Sequence, residues 1–230
     1  MTKLFSTKFL RSNLRLIFVS FVTVLSISLF LSLFEEVWEK SVYINNVDTA
    51  ILAWFRERRT PQLTLFFIIV TQFASFIVAL AFMSFAAFIF YINKYYRFLI
   101  ALIISMSGAS LFIVILKELV ARPRPELGNL ILNEWGFSFP SGHAFTAVAL
   151  YGLLGFFLFS KVKNIIMKAI ILFATILFIL LISFSRIYLG VHWPSDVLAS
   201  LIAGSGFLLV LMVLLRLDYE KSPKQFATPD

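Results

Sequence analysis

Six long apolar stretches, all but one of about 20 residues or more, leave this 230-residue chain very few architectures. They cover about residues 14–34, 63–92, 98–119, 144–160, 165–184 and 197–215. A helix rises about 1.5 Å per residue, so about 20 residues cross the hydrocarbon of a bilayer. In hydrocarbon every backbone N–H and C=O must find its partner within the protein, which makes such runs helices. The expected fold class is all-α, an integral membrane bundle of six transmembrane helices with short interfacial helices, forming one domain over residues 1–230. The run at 63–92 is long enough to tilt, and the one at 144–160 needs Gly142 and His143 to reach full length. Residues 35–62 carry Glu35, Glu36, Glu39, Asp48 and Glu57 among Trp38, Tyr43, Trp54 and Phe55. That mixture is too polar to span and suits one or two helices lying at the interface. Pro61 suits a helix start. The basic opening resembles a signal peptide, but no small-residue cleavage site follows, so a retained first span is expected.

Composition closes several routes. The chain is 60% hydrophobic, against about 45–50% for a soluble domain. It has no cysteine, which excludes disulfides, thiolate nucleophiles and thiolate metal sites. The net charge of +8 flanks apolar runs, which fits membrane topology and anionic lipid better than nucleic acid. With a cytoplasmic N-terminus, inner segments hold 12 of the 20 Lys and Arg residues. Of the outer eight, Lys117, Arg122, Arg124 and Arg186 sit in polar clusters; setting these aside leaves 12 against four. The positive-inside rule then places both termini in the cytoplasm and the clusters on the extracytoplasmic side.

Those clusters carry the chemistry. Lys117–Pro125 follows the third span, Pro140–His143 opens the fourth, and Arg186–Asp196 joins the fifth to the sixth. Alternating spans bring all three to one membrane face, and the site loop runs over 117–143. Ionisable groups at a membrane edge are costly and mark function. Lys117, Arg124 and Arg186 are cations without a matching excess of acid, and guanidinium forks suit oxyanions. Ser141 and the amide of Gly142 open a helix, where unpaired N–H groups add phosphate donors. His192 and Asp196 are four apart, which puts ring and carboxylate on one helical face. A carboxylate fixes the tautomer of a neighbouring imidazole and stabilises its charged form. Two histidines, His143 and His192, permit a nucleophile and a separate proton donor. Glu118, Glu126 and Glu134 are scattered, so no metal site and no cofactor is expected.

Lys117-(six residues)-Arg124-Pro125, Pro140-Ser141-Gly142-His143 and Ser185-Arg186-(five residues)-His192-(three residues)-Asp196 together resemble the three-part signature of the type-2 phosphatidic acid phosphatase superfamily. That family includes bacterial phosphatidylglycerophosphatase B-type and undecaprenyl pyrophosphate phosphatases and shares its site with vanadium haloperoxidases. The resemblance spans roughly residues 45 to 215. It implies a metal-independent lipid phosphatase at the extracytoplasmic face of the cell membrane. His192 would be the nucleophile forming a phosphohistidine, Asp196 its orienting group, and His143 the general acid and later base. Lys117, Arg124, Arg186, Ser141 and Gly142 would bind phosphate. The implied substrate is a lipid phosphate or pyrophosphate, with undecaprenyl pyrophosphate or phosphatidylglycerol phosphate favoured, and the partners are membrane lipids. A lipid phosphotransferase using the same intermediate is the alternative; a membrane binder or transporter, or a vanadate-loaded peroxidase, stands further off. The residues are silent on oligomeric state.

Other polar and aromatic residues have plainer readings. Arg122 reads equally as a charged flank or a phosphate helper. Ser185 reads as a cap or packing residue, and Tyr188 and Trp193 as packing. Trp135, Phe137 and Phe139 are expected to anchor the loop at the interface. Glu126 and Glu134 are expected to be solvated loop charges, with an influence on head-group choice as the second option.

Overall fold

Pro61 stands where a helix must begin, and the computed structural model starts one there; it describes residues 7–126 and 134–214, with side chains from residue 17. Residues 127–133 of the expected site loop, together with Lys3, Arg216, Lys221 and Lys224 and the side chains of Lys8, Arg11 and Arg15, lie outside the described residues. Among those described, every regular element is helical: α1 (Thr7–Trp38), α2 (Val42–Glu57), α3 (Pro61–Gln72), α4 (Phe76–Ile92), α5 (Tyr96–Val120), α6 (Gly142–Lys161), α7 (Ile165–Tyr188) and α8 (Pro194–Leu214). Five helices are individually long and apolar enough to cross a membrane, and α3 with α4, taken as one bent span, brings the number to six. The fold class is thus the all-α membrane bundle that the apolar runs imply. Large side chains such as Phe18, Phe85, Phe173 and Leu111 face outward, as lipid-exposed surfaces require.

Helix ends explain where the boundaries shift from the apolar runs. α1 continues past residue 34 to Trp38 and closes in a Schellman turn: Lys40 takes φ 53°, its N–H donates to the Val37 carbonyl, and the Ser41 N–H donates to Glu36. The run at 63–92 is broken rather than merely tilted, by 46° at residues 73–75. Ala74 and Ser75 make short-range bonds to Thr71 and Gln72, and the Ser75 hydroxyl also donates to the Gln72 carbonyl at 2.7 Å. The carbonyl of Phe73 is released from the helix and accepts from the Tyr151 hydroxyl instead. A backbone break inside a bilayer persists only when such a partner re-satisfies it. α6 is likewise irregular, widening to a π-turn over Val148–Gly152, where the Ser105 hydroxyl donates 2.9 Å to Ala149.

α1 lies along α8, where Gly206 brings its backbone close to Ser26. Phe90, Leu102, Leu150, Leu153 and Ile182 form the buried centre between α4, α5, α6 and α7. α2 is amphipathic and buries Ile44, Asp48 and Leu52, spaced four apart, against α7 and α8. It is therefore packed into the polar end of the bundle on one side while Tyr43 and Trp54 stay exposed. Phe139 departs from the expected interfacial anchor: it is fully buried against Phe30 and Phe34 of α1. Its neighbour Trp135 is 90% exposed, as an anchoring ring would be.

Candidate active site

Three helix ends and two connections build the polar cluster. Lys117 and Arg186 occupy the last turns of α5 and α7, where the carbonyl ends of helices favour cations. Gly190, at φ 74°, ends α7 in a second Schellman turn, with Val191 donating to Arg186 at 3.2 Å and Gly190 to Ile187 at 3.0 Å. That turn folds the chain back so that His192 lies over the Arg186 carbonyl, its N–H 3.4 Å from that oxygen. α8 then starts at Pro194, three residues before the apolar run begins, which carries Asp196 inside its first turn.

The structure brings His192, Asp196, Lys117, Arg124, Arg186 and His143 into one cluster. His192 is almost wholly buried, with Nδ1 3.4 Å from Asp196 Oδ2. Its Nε2 lies 3.3 Å from Arg124 Nη1, an N–H that can only donate. Nε2 is therefore the acceptor and Nδ1 carries the proton toward Asp196, a tautomer inferred from its neighbours. At 3.4 Å the Nδ1 contact is within ion-pair range but not aligned as a hydrogen bond. Burial, then the charges of Arg186, Arg124 and Lys117, hold the His192 imidazole well below its ordinary pKa, so it is neutral and has a lone pair to offer. His143, in the first turn of α6, is within electrostatic reach of Arg186, Glu134, His192 and Arg124.

The cations hold the loop as well as one another's company. Arg124 donates to the carbonyls of Gly136 at 3.0 Å, Trp135 at 3.2 Å and Val191 at 2.7 Å. Lys117 donates to the Phe137 carbonyl, and Arg186 to Thr71 Oγ1 at 2.6 Å while its Nε has no partner. Ser141 caps α6 by accepting the Ala144 N–H at 3.5 Å, a bond that does not use its own O–H. A Cβ on Gly142 would meet only an ordinary contact at Ile113, so neighbouring atoms do not demand glycine there.

Two acids change the picture drawn from sequence. Glu134 is not a solvated loop charge. It pairs with Arg186, its Oε2 lies 3.8 Å from Arg124 Nη2, and its side chain is 24% exposed. Burial opposes its ionisation, but the charge and hydrogen bond of Arg186 outweigh it, and the pKa falls to about 2. The three cations thus do have a neighbouring acid. Glu126, by contrast, is exposed as expected. The second acid is Asp48, which sequence reasoning left among the interfacial charges. It is buried and accepts from Arg122 Nη2 at 2.8 Å, the Ser195 N–H at 2.9 Å and the Ser195 hydroxyl. Arg122 is therefore not a mere charged flank: its Nη1 donates to Asp196 Oδ1 at 2.6 Å and Ser195 Oγ at 2.7 Å. The available signal was Asp48's place between Ile44 and Leu52 on the apolar face of α2. Ser185, Tyr188 and Trp193 pack and brace: Ser185 bonds back to Ile182, Tyr188 takes the Thr60 N–H, and Trp193 Nε1 donates to Pro123. Among the described residues no group of three His, Asp or Glu side chains could hold a metal ion.

The fold and cluster define a multi-pass helical membrane protein with cations and a carboxylate-backed histidine buried at one end. A family model for the PAP2 superfamily matches residues 98–219, just over half of the chain, and the chain belongs to that superfamily. Phosphatidylglycerophosphatase B of Bacillus subtilis (strain 168) is 34% identical over 118 residues, covering 49% of this chain and 53% of the relative. The match thus spans about half the length of that curated relative. The crystal structure of the transmembrane PAP2-type phosphatidylglycerolphosphate phosphatase from Bacillus subtilis superposes with a TM-score of 0.76 at 25% identity, covering 84% of this chain and 94% of that one. Aquifex aeolicus LpxE superposes with a TM-score of 0.57 at 25% identity, covering 72% and 94%.

Proposed function

We propose that this protein is a membrane lipid phosphatase that cleaves a lipid phosphate or pyrophosphate through a phosphohistidine at the extracytoplasmic face. The observation that carries the reading is the orientation of His192: Nδ1 turned to Asp196, Nε2 turned to the cations. The relatives' printed activity and the three-part signature support the same chemistry. In the first step the Nε2 lone pair attacks phosphorus. Arg124 Nη1 gives up Nε2 and donates to a phosphoryl oxygen instead. Lys117, Arg186, the Ser141 hydroxyl and the Gly142 amide take the remaining oxygens, where charge spreads as the bond breaks. His143, which takes up a proton once the phosphate's negative charge has entered among the cations, delivers that proton to the leaving oxygen as the P–O bond breaks, while Asp196 holds Nδ1–H of the charged ring. In the second step neutral His143 takes a proton from water, the hydroxide attacks phosphorus, and the P–N bond breaks to release phosphate. No metal is required by this sequence.

Glu134 holds the guanidinium of Arg186 that phosphate would engage, so binding exchanges one anion for another. The lipid's chains remain in hydrocarbon; an apolar cleft of about 550 Å³ between α1, α5, α6 and α8, bordered by Phe145, lies near the site's helix for them. The 12-to-four distribution of basic residues supports cytoplasmic termini and an outer-leaflet substrate. Phosphatidylglycerol phosphate is favoured by the relatives, and undecaprenyl pyrophosphate fits the same chemistry. The test is phosphate release by purified protein across a panel of both lipid classes. Release lost in His192→Ala, with the fold intact, is the expected result; persistent release refutes the nucleophile. Labelled phosphate appearing on a second lipid instead of in solution would establish a phosphotransferase.

A further inference from the structure

α2 stands outside the residues that match the PAP2 family, yet it sends one buried carboxylate into the cluster. Asp48 is 1% exposed, and one of its partners, Arg122, also holds Asp196. Oδ1 accepts the Ser195 N–H, one of the unpaired amides at the start of α8, so Asp48 acts as a cap supplied from another helix. Oδ2 accepts from Ser195 Oγ and from Arg122 Nη2. The other nitrogen of that guanidinium holds Asp196 Oδ1, and Asp196 Oδ2 accepts the Trp193 N–H at 3.0 Å beside His192 Nδ1. Arg122 also stacks 5.2 Å over the Trp193 ring, which limits its motion in the remaining direction.

We propose that Asp48 is a positioning residue: by holding Arg122 and the first turn of α8, it fixes the Asp196 carboxylate in the orientation that keeps the His192 proton on Nδ1. The reasoning rests on the phosphatase reading above and extends its machinery to the interfacial helix. A guanidinium is a planar fork with strong preference for two-point pairing with a carboxylate. Asp48 occupies one prong, so Asp196 receives only the other and keeps Oδ2 for the imidazole. Without Asp48, Arg122 turns its whole fork on Asp196 and draws Oδ2 away from Nδ1. His192 then loses the partner that selects its tautomer, and Nε2–H competes with the nucleophilic form. Substrate binding is unaffected, because Asp48 faces neither Lys117, Arg124 nor Arg186.

The experiment compares wild type with Asp48→Asn in detergent micelles at equal folded amounts. The measurements are phosphate release from phosphatidylglycerol phosphate and the ¹⁵N spectrum of histidine-labelled protein. The chain has two histidines, so a His143→Gln sample assigns both rings. Outer-shell partners that orient metal-bound histidines are typically worth about 10- to 100-fold, and the same scale is taken here by analogy. Asp48→Asn is expected to lower kcat by about that factor with KM within about twofold, and to move His192 toward the Nε2–H tautomer. A kcat within about twofold of wild type, a loss falling mainly on KM, or an unchanged His192 tautomer overturns the proposal. If Asp48→Asn does not fold, Arg122→Lys takes its place, since one ammonium cannot bridge both carboxylates. The same kcat loss and tautomer change are expected, and their absence overturns the proposal equally. Wild-type protein that released no phosphate from any lipid would defeat the phosphatase reading, while the tautomer comparison would still decide the Asp48 linkage.

Discussion

Glu134 offers the sharpest energetic test of how the site meets its substrate. Its carboxylate pairs with Arg186 and approaches Arg124, so an arriving phosphate must displace it. Glu134→Gln keeps the side-chain length and a carbonyl acceptor but removes the charge. A charge-assisted bond contributes about 1.5–3 kcal/mol and a neutral one about 0.5–1.5 kcal/mol, so the competing anion costs substrate roughly 1–1.5 kcal/mol. With Glu134's side chain 24% exposed, the low end of that range is the fair choice. A change of about 1 kcal/mol is about fivefold in binding. The assay is competitive inhibition of lipid phosphate release by inorganic phosphate. Ki is expected to fall about fivefold in Glu134→Gln, evenly between about pH 5 and 8, because the wild-type carboxylate titrates only near about 2. A Ki that is unchanged, or that rises, would refute the exchange and make Glu134 a brace for Arg186 instead. The sign for stability follows the same group. The pair's contribution is complete above a carboxylate's ordinary pKa of about 4.3 and is lost as pH falls toward about 2.

Asp196→Asn should slow phosphate release on the order of 10³–10⁴-fold, as for other buried Asp–His pairs, because the amide cannot hold Nδ1–H of a charged His192; a near-normal rate in a steady-state assay would remove Asp196 from the orienting role. Gly190→Ala forces a Cβ onto a residue at φ 74° and within 2.5 Å of Arg59 Nη2, so thermal unfolding in detergent should show a loss of at least about 1–2 kcal/mol; an unchanged midpoint would mean the corner relaxes freely. EDTA should leave phosphate release unchanged, and strong inhibition restored by a divalent cation would reinstate a metal-assisted route.

What sequence could reveal here followed from expense. Charges at the ends of apolar runs are rare, so Lys117, Arg124, Arg186, His143, His192 and Asp196 stood out singly, and the parity of membrane crossings brought their segments to one face. The four-residue spacing did pair His192 with Asp196, though through the turn that precedes α8 and not along one helical face. Pairing across loops has no such period. Glu134 lies 52 residues from Arg186, and Asp48 lies 74 from Arg122, and nothing local links either couple. The break at residues 73–75 was invisible because an apolar run shows length but not direction; only the Tyr151 hydroxyl, from another helix, makes it tenable. Phe139 misled for a related reason, since an aromatic near a membrane edge looks the same whether it faces lipid or the underside of α1.

The π-turn in α6 divides that helix into two segments whose angular phases differ by one residue. The turn itself is pinned by Tyr151 reaching Phe73 and by Ala149 accepting from Ser105. Excising a single residue between Val148 and Gly152 would restore regular winding with both flanks in phase, whereas winding all the residues present as a regular helix would swing one flank by about 100° and take His143 off the face it shares with His192. The local irregularity thus acts as a phase-setting joint: it absorbs one extra residue in α6 so that His143 keeps its face.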